Sequence, residues 1–265
     1  MNAHFLRRQR DARRRTIGDV FAGAEFMDRD GGLVAVRDGP DDVLRAERRI
    51  AAEENFRMRG RHGRGVDLRH VPLVEFDAGI ALARQGGPNA VVLREATRRA
   101  GVVPNAAYRH FRSRDELLQA VRDAALAALA VTMENELAAM RRDDDAADYA
   151  RASLRAIGAA YLRFAQTEPG LFRTAFATGP APGEGHRVIA GTSGLGPFEL
   201  LGAALDRLVA SGVLPSDRRP AAEYLAWSAV HGLSMLLIEG PLRRMTRSER
   251  AAVTAALLDM VDKGL

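Results

Sequence analysis

Residues 91–111 read VVLREATRRAGVVPNAAYRHF, and residues 112–121 continue RSRDELLQAV. The apolar spacing predicts a helix over about 90–99, a tight turn Ala100-Gly101-Val102-Val103, and a short helix from Pro104 to about His110. Gly101 sits where the turn needs a positive φ angle. Pro104 suits a first helical turn, because its missing N–H has no partner to lose there. Upstream, Val74, Ile80, Leu82 and Ala83 give a helix over about 72–85 an inward face, and Gly86-Gly87 stops it. Three helices so spaced make a helix-turn-helix pattern. Many helical corners share the spacing and bind nothing, so spacing alone assigns no role. Downstream, Ser113-Arg114-Asp115-Glu116 reads as a capping box opening a long helix to about Arg141.

Working outward, the rest of the chain also reads as helices. They are predicted over about 147–166, 169–177, 198–211, 220–239 and 246–262, with a cap region at Asp143 to Asp145 and a Gly/Pro-rich loop over 178–197. No stretch shows the period-2 alternation of a strand, and no internal repeat appears. The expected fold class is all-α. Residues 1–57 mix charge runs with the turn signals Asp30-Gly31-Gly32 and Asp38-Gly39-Pro40, and are expected to be a poorly ordered or loosely attached extension. Met58 offers an alternative start. The expected divisions are 1–57 as extension, 58–118 as a basic arm with the three-helix unit, and 119–265 as a larger helical bundle.

The composition excludes several classes. Cys is absent, which removes disulfides, thiolate metal sites and thiol nucleophiles and suits a reducing compartment. The charge is +5, and a single Lys, Lys263, stands among 39 basic residues. Arg suits phosphate through its planar fork, although codon bias in a GC-rich genome gives the same enrichment. Asp19, Glu25, Asp28 and Asp30 interrupt any export signal after the early arginines, and Ser228, His231 and Ser234 break the most apolar segment, so a cytoplasmic chain with no membrane span is expected. Arg57, Arg59, Arg61, His62, Arg64, Arg69 and His70 form a basic arm, read either as a phosphate-tracking arm or as a solvated tail.

The stretch quoted first closely resembles the DNA-binding segment of the TetR family of transcription regulators. The resemblance rests on Gly101-Val102, Tyr108-Arg109-His110-Phe111, Arg114 and Glu116-Leu117, and covers about 45 residues of the chain. It implies that Tyr108 and His110 contact phosphates and fix the short helix in a major groove. It also implies that Arg114 contacts the DNA backbone and that Asn105, Ala106 and Arg109 face base edges or phosphates; Arg94 joins this DNA-binding set. Phe111 reads as core. Without the resemblance, Tyr108 and His110 fit a packed or solvated corner equally well. Val92, Thr97 and Val103 depart from the usual pattern, and Val103 lacks the hydroxyl that often caps the reading helix.

The second half carries weaker signals. Trp227-Ser228-Ala229-Val230-His231-Gly232 resembles the C-terminal domain of a TetR subgroup named for its Trp-x-x-x-His-Gly motif; Glu168-Pro169-Gly170-Leu171-Phe172-Arg173 and Asp67-Leu68-Arg69 resemble other segments of that subgroup. Trp227 and His231 share one helical face. Two readings stand for it: a pocket wall with His231 as hydrogen-bonding or pH-sensitive group, or a packed core. Met133, Leu154, Ile157, Tyr161, Phe164, Phe172, Phe176 and Phe198 are the other candidates for a small-molecule pocket, although such residues are more often plain core. By resemblance, the helices at 220–239 and 246–262 form a homodimer, with Leu233, Leu237, Ile238, Val253, Leu257, Leu258 and Val261 as the contact stripe; the alternative is that these stripes pack within one subunit. Gly232, next to His231, allows close helix packing.

The function expected from these features is a DNA-binding regulator of a palindromic operator, released by a small apolar effector, with no cofactor and no metal. A ligand-insensitive regulator or architectural DNA-binding protein is the alternative. Gly191-Thr192-Ser193-Gly194-Leu195-Gly196 resembles a hydrolase nucleophile elbow only superficially, since its second Gly is misplaced and no strand precedes it. The six His residues form no zinc motif, and no enzymatic activity is expected.

Overall fold

The computed structural model describes residues 25–27, 33–35, 71–101, 111, 113–140, 145–177 and 191–265. The chain divides into two units, Met1–Asp38 and Gly39–Leu265. In the first, β1 (Glu25–Met27) and β2 (Leu33–Ala35) pair antiparallel in the register Glu25↔Ala35, Phe26↔Val34 and Met27↔Leu33. This hairpin adds to the all-helical expectation. Three-residue strands are too short to show alternation, so periodicity cannot reveal them.

The second unit is helical: α1 (Val71–Gly86), α2 (Leu93–Ala100), α3 (Arg114–Ala139), α4 (Ala146–Thr167), α5 (Pro169–Ala175), α6 (Pro197–Ala210), α7 (Ala222–Ile238) and α8 (Arg247–Gly264). Single 3-10 turns stand at Pro88–Ala90 and Pro241–Arg244. Local chemistry accounts for most boundaries. The Ser113 hydroxyl accepts from the Glu116 N–H and starts α3. The Asp145 carboxylate accepts from the Ala147 and Asp148 N–H groups and starts α4. Thr246 and Glu249 close a reciprocal capping box on α8. Pro169 and Pro197 occupy first helical positions, where a missing N–H is harmless. Gly101 ends α2 with φ 67°, the left-handed conformation anticipated from its place in the turn.

Helix α3 runs through the middle of the core, its Ala124 to Ala130 run mostly sealed, and packs against α1, α4, α5 and α6. Small residues set the closest approaches. A Cβ on Gly79 would touch Val121 and Leu117 at 3.0 and 3.1 Å, so α1 lies tightly on the start of α3. A Cβ on Gly158 would come within 2.5 Å of Leu258, where α8 crosses α4. Arg151–Asp262 and Arg155–Asp259 pairs, at 3.1 and 3.4 Å, tie the same two helices.

Val74, expected inward, is 41% exposed, while Ile80, Leu82 and Ala83 are buried as expected. Of the stripe expected at a dimer contact, Leu233, Leu237 and Leu258 are core of the subunit itself, and Ile238, Val253, Leu257 and Val261 are half-buried against it. Large apolar residues satisfy the subunit's own core first, because that is where the most apolar area leaves water. No described helix is long and apolar enough to cross a membrane.

Candidate functional site: a helical head and an aromatic cluster

The head is built on α1, α2 and the start of α3. Helix α2 buries Leu93, Ala96 and Thr97 and turns Arg94, Glu95, Arg98 and Arg99 outward. The Thr97 hydroxyl donates to the Leu93 carbonyl at 2.6 Å, which satisfies it inside the helix. Glu95 accepts from Arg98 at 2.7 and 2.8 Å and from Arg99 at 3.0 Å, and these bonds pull its carboxyl down to a pKa of about 2. Val92 is the N-cap of α2 with no side-chain cap bond, as its missing hydroxyl dictates. Phe111 is half-buried against the core, in line with its reading as a packing residue.

Arg114 has a defined structural task. Its Nε donates to the Val91 carbonyl at 2.9 Å and one terminal nitrogen to the Pro88 carbonyl at 2.8 Å, while the other lies 3.6 Å from Asp115. Two donors of a rigid fork thereby pin the approach to α2 against α3. Arg94 is exposed. Asn105, Ala106, Tyr108, Arg109 and His110 lie outside the described residues, as does Val103.

Glu75 is the head's other ionisable feature. It is fully buried on α1, and both carboxylate oxygens lack a hydrogen-bond partner. Burial pushes its pKa up to about 7.

The second constellation lies in the bundle. Tyr161 from α4, Phe172 from α5 and Phe176 just after it, Phe198 from α6, and Trp227 and His231 from α7 form one cluster of rings. The His231 ring centroid is 4.9 Å from Phe176, 5.5 Å from Phe172 and 5.9 Å from Trp227. Phe198 lies 5.9 Å from Trp227 and 5.5 Å from Tyr224, an exposed ring that periodicity did not single out. A polar chain runs through the cluster: the Trp227 indole N–H donates to the Tyr161 oxygen at 3.0 Å, and the Tyr161 hydroxyl lies 2.7 Å from His231 Nδ1. Burial holds the His231 pKa below its ordinary value and raises that of Tyr161, which favours the neutral form of both groups. His231 is bonded to a side chain, and Phe176, Phe198, Trp227 and His231 are half-buried. Met133, Leu154, Ile157 and Phe164 are buried core residues instead, and Phe164 makes no ring contact with the cluster.

One arrangement escaped the sequence reading. Glu134 of α3 is buried and accepts from the Thr192 and Ser193 N–H groups at 2.8 and 2.9 Å and from the Ser193 hydroxyl. A Cβ on Gly191 would come within 2.5 Å of that carboxylate. The segment that superficially resembled a nucleophile elbow is therefore a loop moored to α3, its Ser hydroxyl donating to a carboxylate. The signal was present: Glu134 falls on the buried stripe with Ala127, Ala130 and Leu137, where a carboxylate needs bonded partners.

The family models described as "Bacterial regulatory proteins, tetR family" and "Tetracyclin repressor-like, C-terminal domain" match residues 76–121 and 154–261, together more than half of the chain. The chain belongs to the TetR family. The first match spans α1, α2 and the start of α3, and the second contains Tyr161, Phe172, Phe176, Phe198, Trp227 and His231. This TetR-family protein is a DNA-binding transcription regulator with a helix-turn-helix head and a helical C-terminal domain, and not an enzyme. Its fold is similar to that of a solved structure titled "Structure of a protein with unknown function from Rhodococcus sp. RHA1". The TM-score is 0.60 at 23% identity, over 78% of this chain and 98% of that one. No curated protein matches the chain.

Proposed function

We propose that this TetR-family regulator is a ligand-responsive repressor, released from a palindromic operator by a small, largely apolar effector that binds at the aromatic cluster. The observation that carries the reading is the position of α5. Phe172 of this helix and Phe176 at its end belong to the ring cluster, while Gly170 sits against the last turn of α1 in the head. Around that contact, Arg84 of α1 pairs with Glu168 at 3.2 Å, and Arg122 of α3 donates to the Ala175 carbonyl at 3.0 Å. A ligand that displaces Phe172 or Phe176 must displace a seven-residue helix braced directly on the DNA head. The regulator responds to the extent that the ligand prefers one of the two arrangements; affinity common to both shifts nothing.

Dimerisation through α7 and α8 belongs to the same proposal, on a different face from the one the sequence suggested. Leu225 is 65%, Met260 58% and Leu236 43% exposed, and a Cβ built on Gly232 meets nothing within 4 Å. Gly232 thus serves no close packing inside the subunit, and its openness beside Leu225 and Leu236 supports a second copy's helix lying there. A two-fold dimer presents two reading helices about 34–36 Å apart, one turn of duplex.

The test begins with selection of genomic fragments by the purified chain. A palindromic motif with half-sites one turn apart is the expected product. Light scattering is expected to give a dimer, and an effector bound at the cluster to lower operator affinity. A stable monomer, or a bound effector that leaves operator affinity unchanged, would overturn the corresponding part.

A further inference from the structure

We propose that the effector is an uncharged aromatic molecule with one hydrogen-bond acceptor, held with that acceptor on Nε2 of His231. This rests on the ligand-sensing reading above and names the chemistry of its site.

Proton accounting fixes the donor. An indole N–H only donates, so Trp227 gives its hydrogen to the Tyr161 oxygen at 3.0 Å. The Tyr161 hydroxyl has one proton, and its other contact is His231 Nδ1 at 2.7 Å. If Nδ1 carried the imidazole hydrogen, both neighbours would donate to the phenol oxygen, and the proton of a phenol only 3% exposed would have no acceptor. Leaving such a bond unmade in a buried site is strongly unfavourable. The satisfied arrangement has Tyr161 donating to Nδ1, which places the hydrogen of the neutral imidazole on Nε2. Among the described residues that N–H has no hydrogen-bond partner, and it is not sealed from solvent. It is the open end of a polar chain whose other members are paired, and it asks for an acceptor.

The surroundings set the rest of the molecule. Phe172, Phe176 and Trp227 all have ring centroids within 5.9 Å of the imidazole, so the donor emerges among π faces and edges that suit a flat aromatic body. Charge is disfavoured. The burial that lowers the His231 pKa opposes an imidazolium partner for an anion, and among the described residues no Arg or Lys bonds to Trp227, Tyr161 or His231. A carboxylate entering here would lose its hydration without a cation to replace it.

The chain has one Trp, so its spectrum contains a single indole N–H resonance, which reports this site alone. Three probes of one shape separate the contributions: 2-acetylnaphthalene, 2-ethylnaphthalene and 2-naphthoate, titrated into the full chain by calorimetry and by nitrogen–proton correlation spectra. The acetyl probe is expected to bind about tenfold tighter than the ethyl probe, the value of one hydrogen bond. Both are expected to move the indole resonance, and the naphthoate to bind weakest. His231→Phe should close the gap between acetyl and ethyl while keeping ethyl binding, and His231→Gln, which retains a donor, should reopen part of it. Equal acetyl and ethyl affinities in the unmodified chain, naphthoate as the tightest probe, or no probe moving the indole resonance would overturn the assignment. These wild-type comparisons do not depend on any variant folding. A probe that ranks as expected yet leaves operator affinity unchanged would count against ligand-triggered release and not against this assignment.

Discussion

Gly170 on α5 and Ala83 on α1 meet backbone to backbone: a Cβ on Gly170 would stand 2.2 Å from the Ala83 carbonyl oxygen and 2.3 Å from that of Arg84. Carbonyls of a packed helix cannot step aside as a flexible side-chain end can. Gly170→Ala is therefore expected to force α5 off α1, with destabilisation of about 1–3 kcal/mol, the usual cost of overpacking. Denaturant unfolding measures it. Operator affinity should fall along with stability, since the head loses its brace. An unaltered unfolding midpoint would show that the two helices have room.

Glu75 makes the stability of the regulator depend on pH in an unusual direction. Its carboxyl is raised to about 7 in the folded chain, whereas an unfolded Glu titrates near 4.3. Between those values the folded state holds the proton and the unfolded state does not. Stability falls as pH rises through that window and levels off above about 7. The loss is on the order of 3 kcal/mol. Glu75→Gln carries no titrating proton there, so the variant should lose this slope and exceed the natural chain at pH 8. Unfolding free energies at pH 5, 6, 7 and 8 provide the comparison; parallel curves for the two proteins would refute the assignment.

Glu134 and the loop before α6 should behave as one unit. Glu134→Ala removes the acceptor for two N–H groups and one hydroxyl. The expected cost is about 2–3 kcal/mol, because charge-assisted bonds are stronger than neutral ones and the freed groups are only partly rehydrated. Gly191→Ala drives a methyl into the same carboxylate. The double variant should be less unstable than the sum of the two single losses, since the second change has nothing left to disturb. Strict additivity would separate the two residues.

Arg114→Lys tests what the guanidinium does. A Lys ammonium is a point donor and cannot span the Val91 and Pro88 carbonyls together. The variant should lose about 1 kcal/mol of stability and bind all duplexes more weakly. A Lys variant with full stability and full affinity would assign Arg114 to the DNA backbone, as the family resemblance implies.

Ala221, just before α7, has φ 66° and is the one non-glycine residue with positive φ among those described. An L side chain in the left-handed region costs roughly 1 kcal/mol. Ala221→Gly is expected to recover about that much, measured as a higher unfolding midpoint with an unchanged denaturant slope.

Much of the fold was legible because helix ends are written locally. Ser113, Asp145 and Thr246 supply caps, Pro169 and Pro197 mark first turns, and Gly101 ends α2, so predicted boundaries fall within a few residues of those observed. The ring cluster was legible in part. Helical spacing marks Tyr161, Phe172, Phe176, Phe198, Trp227 and His231, which form the cluster, but equally Met133, Ile157 and Phe164, which are buried core as Tyr161 and Phe172 also are. Periodicity says which face is apolar, not whether that face is filled. The place of Glu134 on a buried stripe is a local signal, but its partners lie 58 and 59 residues away, beyond any local pattern. The exposed stripe of Leu225, Gly232 and Leu236 has the same apolar character as Leu233, Leu237 and Leu258, and only the subunit's own packing decides which of them is left on the surface.

The grip of Glu95 on Arg98 and Arg99 bears on how strongly added salt should loosen the regulator from DNA. An arginine already neutralised by a carboxylate displaces fewer condensed cations when it meets a phosphate, and each displaced ion steepens the fall of affinity with ionic strength by nearly one unit on a logarithmic plot. Two α2 guanidinium groups share one anion, and Arg114 is turned onto carbonyls, so of these four only Arg94 stands without such a claim. Counting arginines in the head would overstate the steepness of that plot.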